Sequence, residues 1–181
     1  MKKHIALFSQ TGTEIFDLYE LGHRPDQIIH NHRPQDNMSK PLVEAYFGQM
    51  DHIPRSFSKD VKTLRSMLGD PKKCYITLHG WLSIIPKEIC DEYEIYNGHP
   101  GLITEYPELK GFNPQKRAYE GSYEYVGSIV HRVTADVDEG EVLLGVSVLN
   151  TANNLTEMYD DLRKTSLEAW IGFFAQYGTD K

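Results

Sequence analysis

The chain alternates short apolar runs with amphipathic stretches, and the alternation changes character after Gly121. Residues 4–9 form a continuous apolar run of strand length, broken by Gln10-Thr11-Gly12-Thr13 before Ile15, Leu18 and Tyr19 recur at helical spacing. Strand, glycine turn and helix open a β-α-β unit, with Gly22 suited to the helix C-terminus and Gln27–His30 as the second strand. The polar residues 31–40 predict a loop, followed by a helix over 41–50 and a short strand over 53–57. Val61, Leu64, Met67 and Leu68 place a helix within 58–68 that Gly69-Asp70-Pro71 stops. Cys74–Leu78 returns to strand, 80–85 forms a crest at its end, and Pro86 starts a short helix over 86–93 before a strand over 94–96.

A loop over 104–113 and a helix over 114–120, closed by Gly121, lead to two alternating strands, 125–134 and 141–148. These flank the acidic turn Asp136-Val137-Asp138-Glu139-Gly140. Leu155, Met158, Tyr159, Leu162, Trp170, Phe173 and Phe174 stripe a last helix ended by Gly178, and the stripe reads as packing. Strands alternating with helices and then a hairpin-like pair imply an α/β fold of three layers, its sheet mostly parallel with a mixed end.

Length and charge narrow the class. The 181 residues show no low-complexity linker and fit a single domain over 1–181. A net charge of −7 argues against a nucleic-acid partner held by electrostatics. Lys2-Lys3 precede only a short apolar segment, so neither a signal peptide nor a membrane span is expected, and the expected setting is cytoplasmic. Cys74 and Cys90 are widely spaced among apolar neighbours and read as buried thiols. The first turn carries neither GxGxxG nor GxxxxGK[ST], although a helix N-terminus at Gly12-Thr13 remains a general anion site. His30 and His32 fall on one face of a strand without an evident third metal ligand.

The candidate chemistry sits at Tyr96-Asn97-Gly98-His99-Pro100-Gly101-Leu102-Ile103. In a strand, residues i and i+2 share a face, so Asn97 and His99 aim at one point, and Gly98 between them leaves room for close approach of a ligand. An amide donor beside a titratable ring suits an oxyanion intermediate and a moving proton. A second segment runs from Gly127 through His131 into Asp138, Gly140 and Val142.

In that order, Asn-x-His-Pro, Gly-x-x-x-His and Asp-x-Gly-x-Val resemble the folate-dependent N-formyltransferases. The nearest likeness is to the glycinamide ribonucleotide formyltransferase branch, through residues 97–103, Tyr106-Pro107 and 80–86. The resemblance implies a Rossmann-like formyltransferase fold and formyl transfer from 10-formyltetrahydrofolate to a small, phosphorylated primary amine in purine biosynthesis. It implies that Asn97 bonds the formyl oxygen, His99 stabilises developing charge and assists proton movement, and Asp138 helps take the amine proton, with no metal required. Asp136, two residues away, is then a solvated turn residue. Leu82, Ile84, Ile85, Ala135 and Val137 would line the folate pocket, and Gly12 and Thr13 would hold the acceptor's phosphate, which requires Glu14 to point away. The chain departs from the branch at two places: Gly12-Thr13-Glu14 stands for its Gly-Ser-Asn turn, and Asp160-Asp161-Leu162-Arg163-Lys164 for its Gln-x-x-Glu-His element. Two alternatives stand beside this reading: a sugar-nucleotide N-formyltransferase, to which residues 110–114 have some likeness, and a non-catalytic folate-binding protein of the same fold.

Overall fold

The structure, a computed structural model, describes residues 2–32 and 37–177. Seven strands form one sheet: β1 (Lys3–Phe8), β2 (Gln27–His30), β3 (Met50–His52), β4 (Cys74–Leu78), β5 (Ile95–His99), β6 (Tyr125–Arg132) and β7 (Val142–Leu149). Six α-helices connect them: α1 (Thr13–Glu20), α2 (Lys40–Ala45), α3 (Val61–Leu68), α4 (Lys87–Glu92), α5 (Pro114–Gly121) and α6 (Leu155–Tyr177). The strand order is β3-β2-β1-β4-β5-β6-β7. The first five strands run parallel, and β6 and β7 are each antiparallel to the preceding strand.

A parallel strand between two helical layers is buried on both faces, which is why β1 reads as a continuous apolar run. Its side chains divide by the period of two. Ile5 and Leu7 pack with Leu64, Leu68 and Ile89 of α3 and α4, whereas Ala6 and Phe8 pack with Ile15 and Leu42 of α1 and α2. On that second face α6 lays Trp170, Phe173 and Phe174 against Val130 and Leu18. Met158 and Leu162 extend the same helix into a cluster with Ile129, Leu102 and Leu109.

Local signals set the helix ends. Asp60 caps α3 by accepting the Thr63 N–H at 2.7 Å, and Gly69 follows with φ 78°. Across the first turn of α6 Asn154 accepts the Glu157 N–H at 3.0 Å and donates from its amide to the Glu157 carboxylate at 2.8 Å, which also accepts the Asn153 N–H. The Gly22 position after α1 takes φ 91°.

Several boundaries differ from the sequence reading: the strand expected over 94–96 runs Ile95–His99, and the one expected over 125–134 ends at Arg132. The helix expected over 41–50 ends at Ala45, and the strand expected over 53–57 lies earlier, at Met50–His52, because parallel pairing with Ile28, Ile29 and His30 sets its register. Gly121 is the last residue of α5 and Ser122 takes the left-handed conformation after it, at φ 48°. The stop assigned to Gly178 lies outside the described residues. Cys74 and Cys90 are free, buried thiols. No helix is long and apolar enough to cross a membrane among the described residues.

Candidate active site

In an open α/β sheet the crevice forms where the winding direction reverses, at the carboxyl ends of the strands. That reversal falls between β1 and β4 here. A cavity of about 700 Å³ opens there, walled by the turns after β1 and β4, the end of β5, the 134–138 turn and the first half of α6.

Strand geometry persists through β5, so Asn97 and His99 both reach the cavity wall. His99 is buried and donates from Nε2 to the Leu109 carbonyl at 2.9 Å, with Nδ1 3.4 Å from Asp138 Oδ2. Leu109 belongs to a loop that Arg117 of α5 grips by three successive carbonyls, those of Glu108, Leu109 and Lys110. Asp138 reaches the cluster from a left-handed residue, φ 55°, a conformation Asp tolerates better than most side chains. The tight turn behind it depends on Gly140, where a Cβ would sit 1.7 Å from the Arg132 carbonyl oxygen. Asp136, by contrast, is exposed.

The electrostatics suit a base at rest. Burial pushes the Asp138 carboxyl up, but the neighbouring His131 and His99 rings and the Gly111 N–H at 2.8 Å outweigh it and hold the group below the usual range. Burial lowers the His99 imidazole more than Asp138 raises it. At neutral pH the pair is therefore a carboxylate beside a neutral ring that can accept a proton.

The residues expected around the donor gather at the same cavity. Leu82 and Ile84 are exposed at its rim with Val137, Ala135 lies in the adjoining turn, and Ile85 is buried in the core cluster while still lining the wall. Gly12, Thr13 and Glu14 line the same cavity. The Glu14 carboxylate accepts hydrogen bonds from His79 Nδ1 at 2.7 Å, Trp170 Nε1 at 3.2 Å and the Ser166 hydroxyl. Burial raises its carboxyl, yet His79, Ser166 and Trp170 together bring it below the ordinary value.

One reading gains a second part and one changes. Gly98 lines the cavity and also lets α6 pack closely on the sheet, since a Cβ there would lie 2.6 Å from Trp170 Nε1. Tyr159 is not packing, since it is 44% exposed and lines the cavity with Asp160, Arg163 and Ser166. Sequence reasoning missed Glu14, His79 and Trp170 as partners, and it also missed Arg117 and the contact of His131 with Asn97 at 3.1 Å. The Gly-x-x-x-His spacing was the one signal for His131. Elsewhere, the His30 ring lies 6.1 Å from that of His32 and 5.1 Å from that of His52, but the described residues include no group of three or more His, Cys, Asp or Glu arranged to hold a metal ion.

The formyl transferase family model matches residues 49–172, well over half the chain and including all of β5, the 134–138 turn and most of α6. The chain belongs to the formyl transferase family. Among relatives, phosphoribosylglycinamide formyltransferase of Haemophilus influenzae is 26% identical over 160 residues, 82% of this chain and 73% of that protein. The Dictyostelium discoideum protein of the same name is 30% identical over 107 residues, 51% of this chain, so the match spans about half of that protein's length, 50%. Among solved structures, phosphoribosylglycinamide formyltransferase from Streptococcus pneumoniae superposes with a TM-score of 0.81 at 18% identity, covering 99% of this chain and 100% of that one. That likeness shows a shared fold.

Proposed function

We propose that this formyl transferase moves the formyl group of 10-formyltetrahydrofolate to the primary amine of glycinamide ribonucleotide. The observation that carries the reading is the meeting of Asn97, His99 and Asp138 at a cavity that the exposed apolar residues Leu82, Ile84 and Val137 also line. A flat heteroaromatic donor suits that rim, and a cavity of about 700 Å³ is ample for a small acceptor beside it. The names of the two relatives support the choice of acceptor.

The roles follow from chemistry. A neutral amine attacks the formyl carbon, the carbonyl oxygen becomes an oxyanion, and an N–H of Asn97 stabilises it. The attacking nitrogen then loses a proton to the His99–Asp138 pair, where burial keeps the ring neutral beforehand and the carboxylate stabilises the imidazolium afterwards. The same proton returns to the departing donor nitrogen as the intermediate collapses. Gly12 and Thr13 offer the start of α1 to the acceptor's phosphate, while the Glu14 carboxylate on the same wall is engaged by three donors.

The test is incubation with 10-formyltetrahydrofolate and a panel of amines, glycinamide ribonucleotide and amino-sugar nucleotides included, with formylated product read by mass spectrometry. Formylation of glycinamide ribonucleotide in preference to the rest is expected. Transfer only to a sugar nucleotide would displace the acceptor assignment. Absence of calorimetric binding of a non-reactive folate analogue at submillimolar concentration would overturn the donor as well.

A further inference from the structure

His131 takes no part in the transfer just described, yet it is buried at the centre of the cluster, opposite Asn97 in the antiparallel register of β5 and β6. A register irregularity between Val130 and His131 aims its ring into the site, the usual effect of a bulge beside an active centre. Its Nδ1 lies 2.9 Å from the Arg132 carbonyl oxygen, so that nitrogen carries a hydrogen and donates it. A neutral ring then presents a bare lone pair at Nε2. Two groups compete for that nitrogen: the Asn97 amide nitrogen at 3.1 Å and Asp138 Oδ1 at 3.4 Å.

The competition has only two self-consistent outcomes. With Nε2 bare, Asn97 donates one amide hydrogen to it, and the second hydrogen on the same nitrogen is free for the formyl oxygen. With Nε2 protonated, the ring donates to Asp138, and the Asn97 amide must turn its oxygen toward the ring, which removes the donor an oxyanion needs. His99 faces no such conflict, because its Nε2–H goes to Leu109 and its Nδ1 meets only Asp138. The other charges near the pair are Arg117, whose guanidinium donates to the Leu109 carbonyl, and Arg132, which donates to the Tyr93 carbonyl and lies over Tyr96.

We propose that His131 is a positioning residue: as a neutral Nδ1–H tautomer it fixes the amide orientation of Asn97, so the mobile proton of the site belongs to His99 and Asp138 alone. This rests on the transfer reaction proposed above. It predicts that His131→Met, which offers Asn97 no acceptor of comparable strength, lowers kcat by about tenfold or more with the KM for the folate donor unchanged, the pattern of an interaction made in the transition state. His131→Gln, whose side-chain oxygen accepts from Asn97, should recover most of that loss.

Two measurements test it on the full chain. Long-range ¹H–¹⁵N spectra, with the His131 ring assigned by its loss in His131→Met, should show a protonated Nδ1 and a bare Nε2 at neutral pH. Steady-state turnover of wild type and both variants, each checked for a cooperative thermal melt, supplies the kinetic arm. A protonated Nε2 in a wild type that transfers formyl groups overturns the role of His131 alone. So does a folded His131→Met with kcat within twofold of wild type. Should His131→Met not fold, a folded His131→Gln with kcat lowered tenfold or more overturns it. A wild type that formylates no amine overturns the reaction itself, and the role of His131 with it.

Discussion

At the scale of single residues, the two acidic side chains of the 134–138 turn separate by environment. Asp138 is held by a backbone N–H and lies between two imidazoles, whereas Asp136 faces solvent. Asp138→Asn keeps size and left-handed backbone but removes the charge, so steady-state assays should show a loss of about a hundredfold or more in kcat. Asp136→Asn should stay near wild type. Equal losses would move the catalytic carboxylate out of the Asp138 assignment. The resemblance of Asp138, Gly140 and Val142 to the family's motif pointed to this residue, because a turn holds such a motif in adjacent positions. Arg117 left no such trace: it acts through three backbone carbonyls that only the folded loop brings together.

Among the elements, α6 does more than its apolar stripe announces. Trp170 packs on Gly98 of β5 and donates to Glu14 of α1, so one side chain ties three elements behind the cavity. Gly98→Ala would press a methyl into the indole and should cost about 1–3 kcal/mol, measured as a lower urea midpoint with unchanged slope. An unchanged midpoint would show that the indole moves aside freely. The ends of α3 and α6 were readable from Asp60, Gly69 and the Asn154–Glu157 pair, since capping is local chemistry. The extent of α2 and β3 was not, because a three-residue strand exists only through pairing with β2.

The whole molecule carries buried histidines that set its acid stability. Burial, then the charges of His79 and His23, lowers His4 to about 3, and burial with His52 and His32 lowers His30 to about 4. Burial also lowers His99. A group whose folded pKa lies below its unfolded value binds fewer protons when folded, so its contribution is present above the unfolded value and is lost as pH falls. Stability should therefore decline as pH drops below about 6.5, and at pH 5 His4 alone accounts for about 2 kcal/mol. Thermal melts between pH 7.5 and 4.5 check this, and His4→Gln should flatten the decline; a flat profile in wild type would contradict the burial of these rings.

The division between what is local and what is not follows the range of the interactions involved. The alternation of strands and helices, the Asn97–His99 pair and the apolar crest were legible along the chain, because periodicity and turn chemistry act over a few residues, and resemblance to a known family added Asp138. It took the folded arrangement to show that Asn97 and Asp138 both approach Nε2 of His131, that His79, Ser166 and Trp170 hold the Glu14 carboxylate, and that Gly98 admits the Trp170 indole. Apart from His131 and Asp138, seven positions apart, those contacts join residues from 34 to 156 positions apart, and which of them a side chain makes is set by sheet register and helix docking that no local pattern encodes.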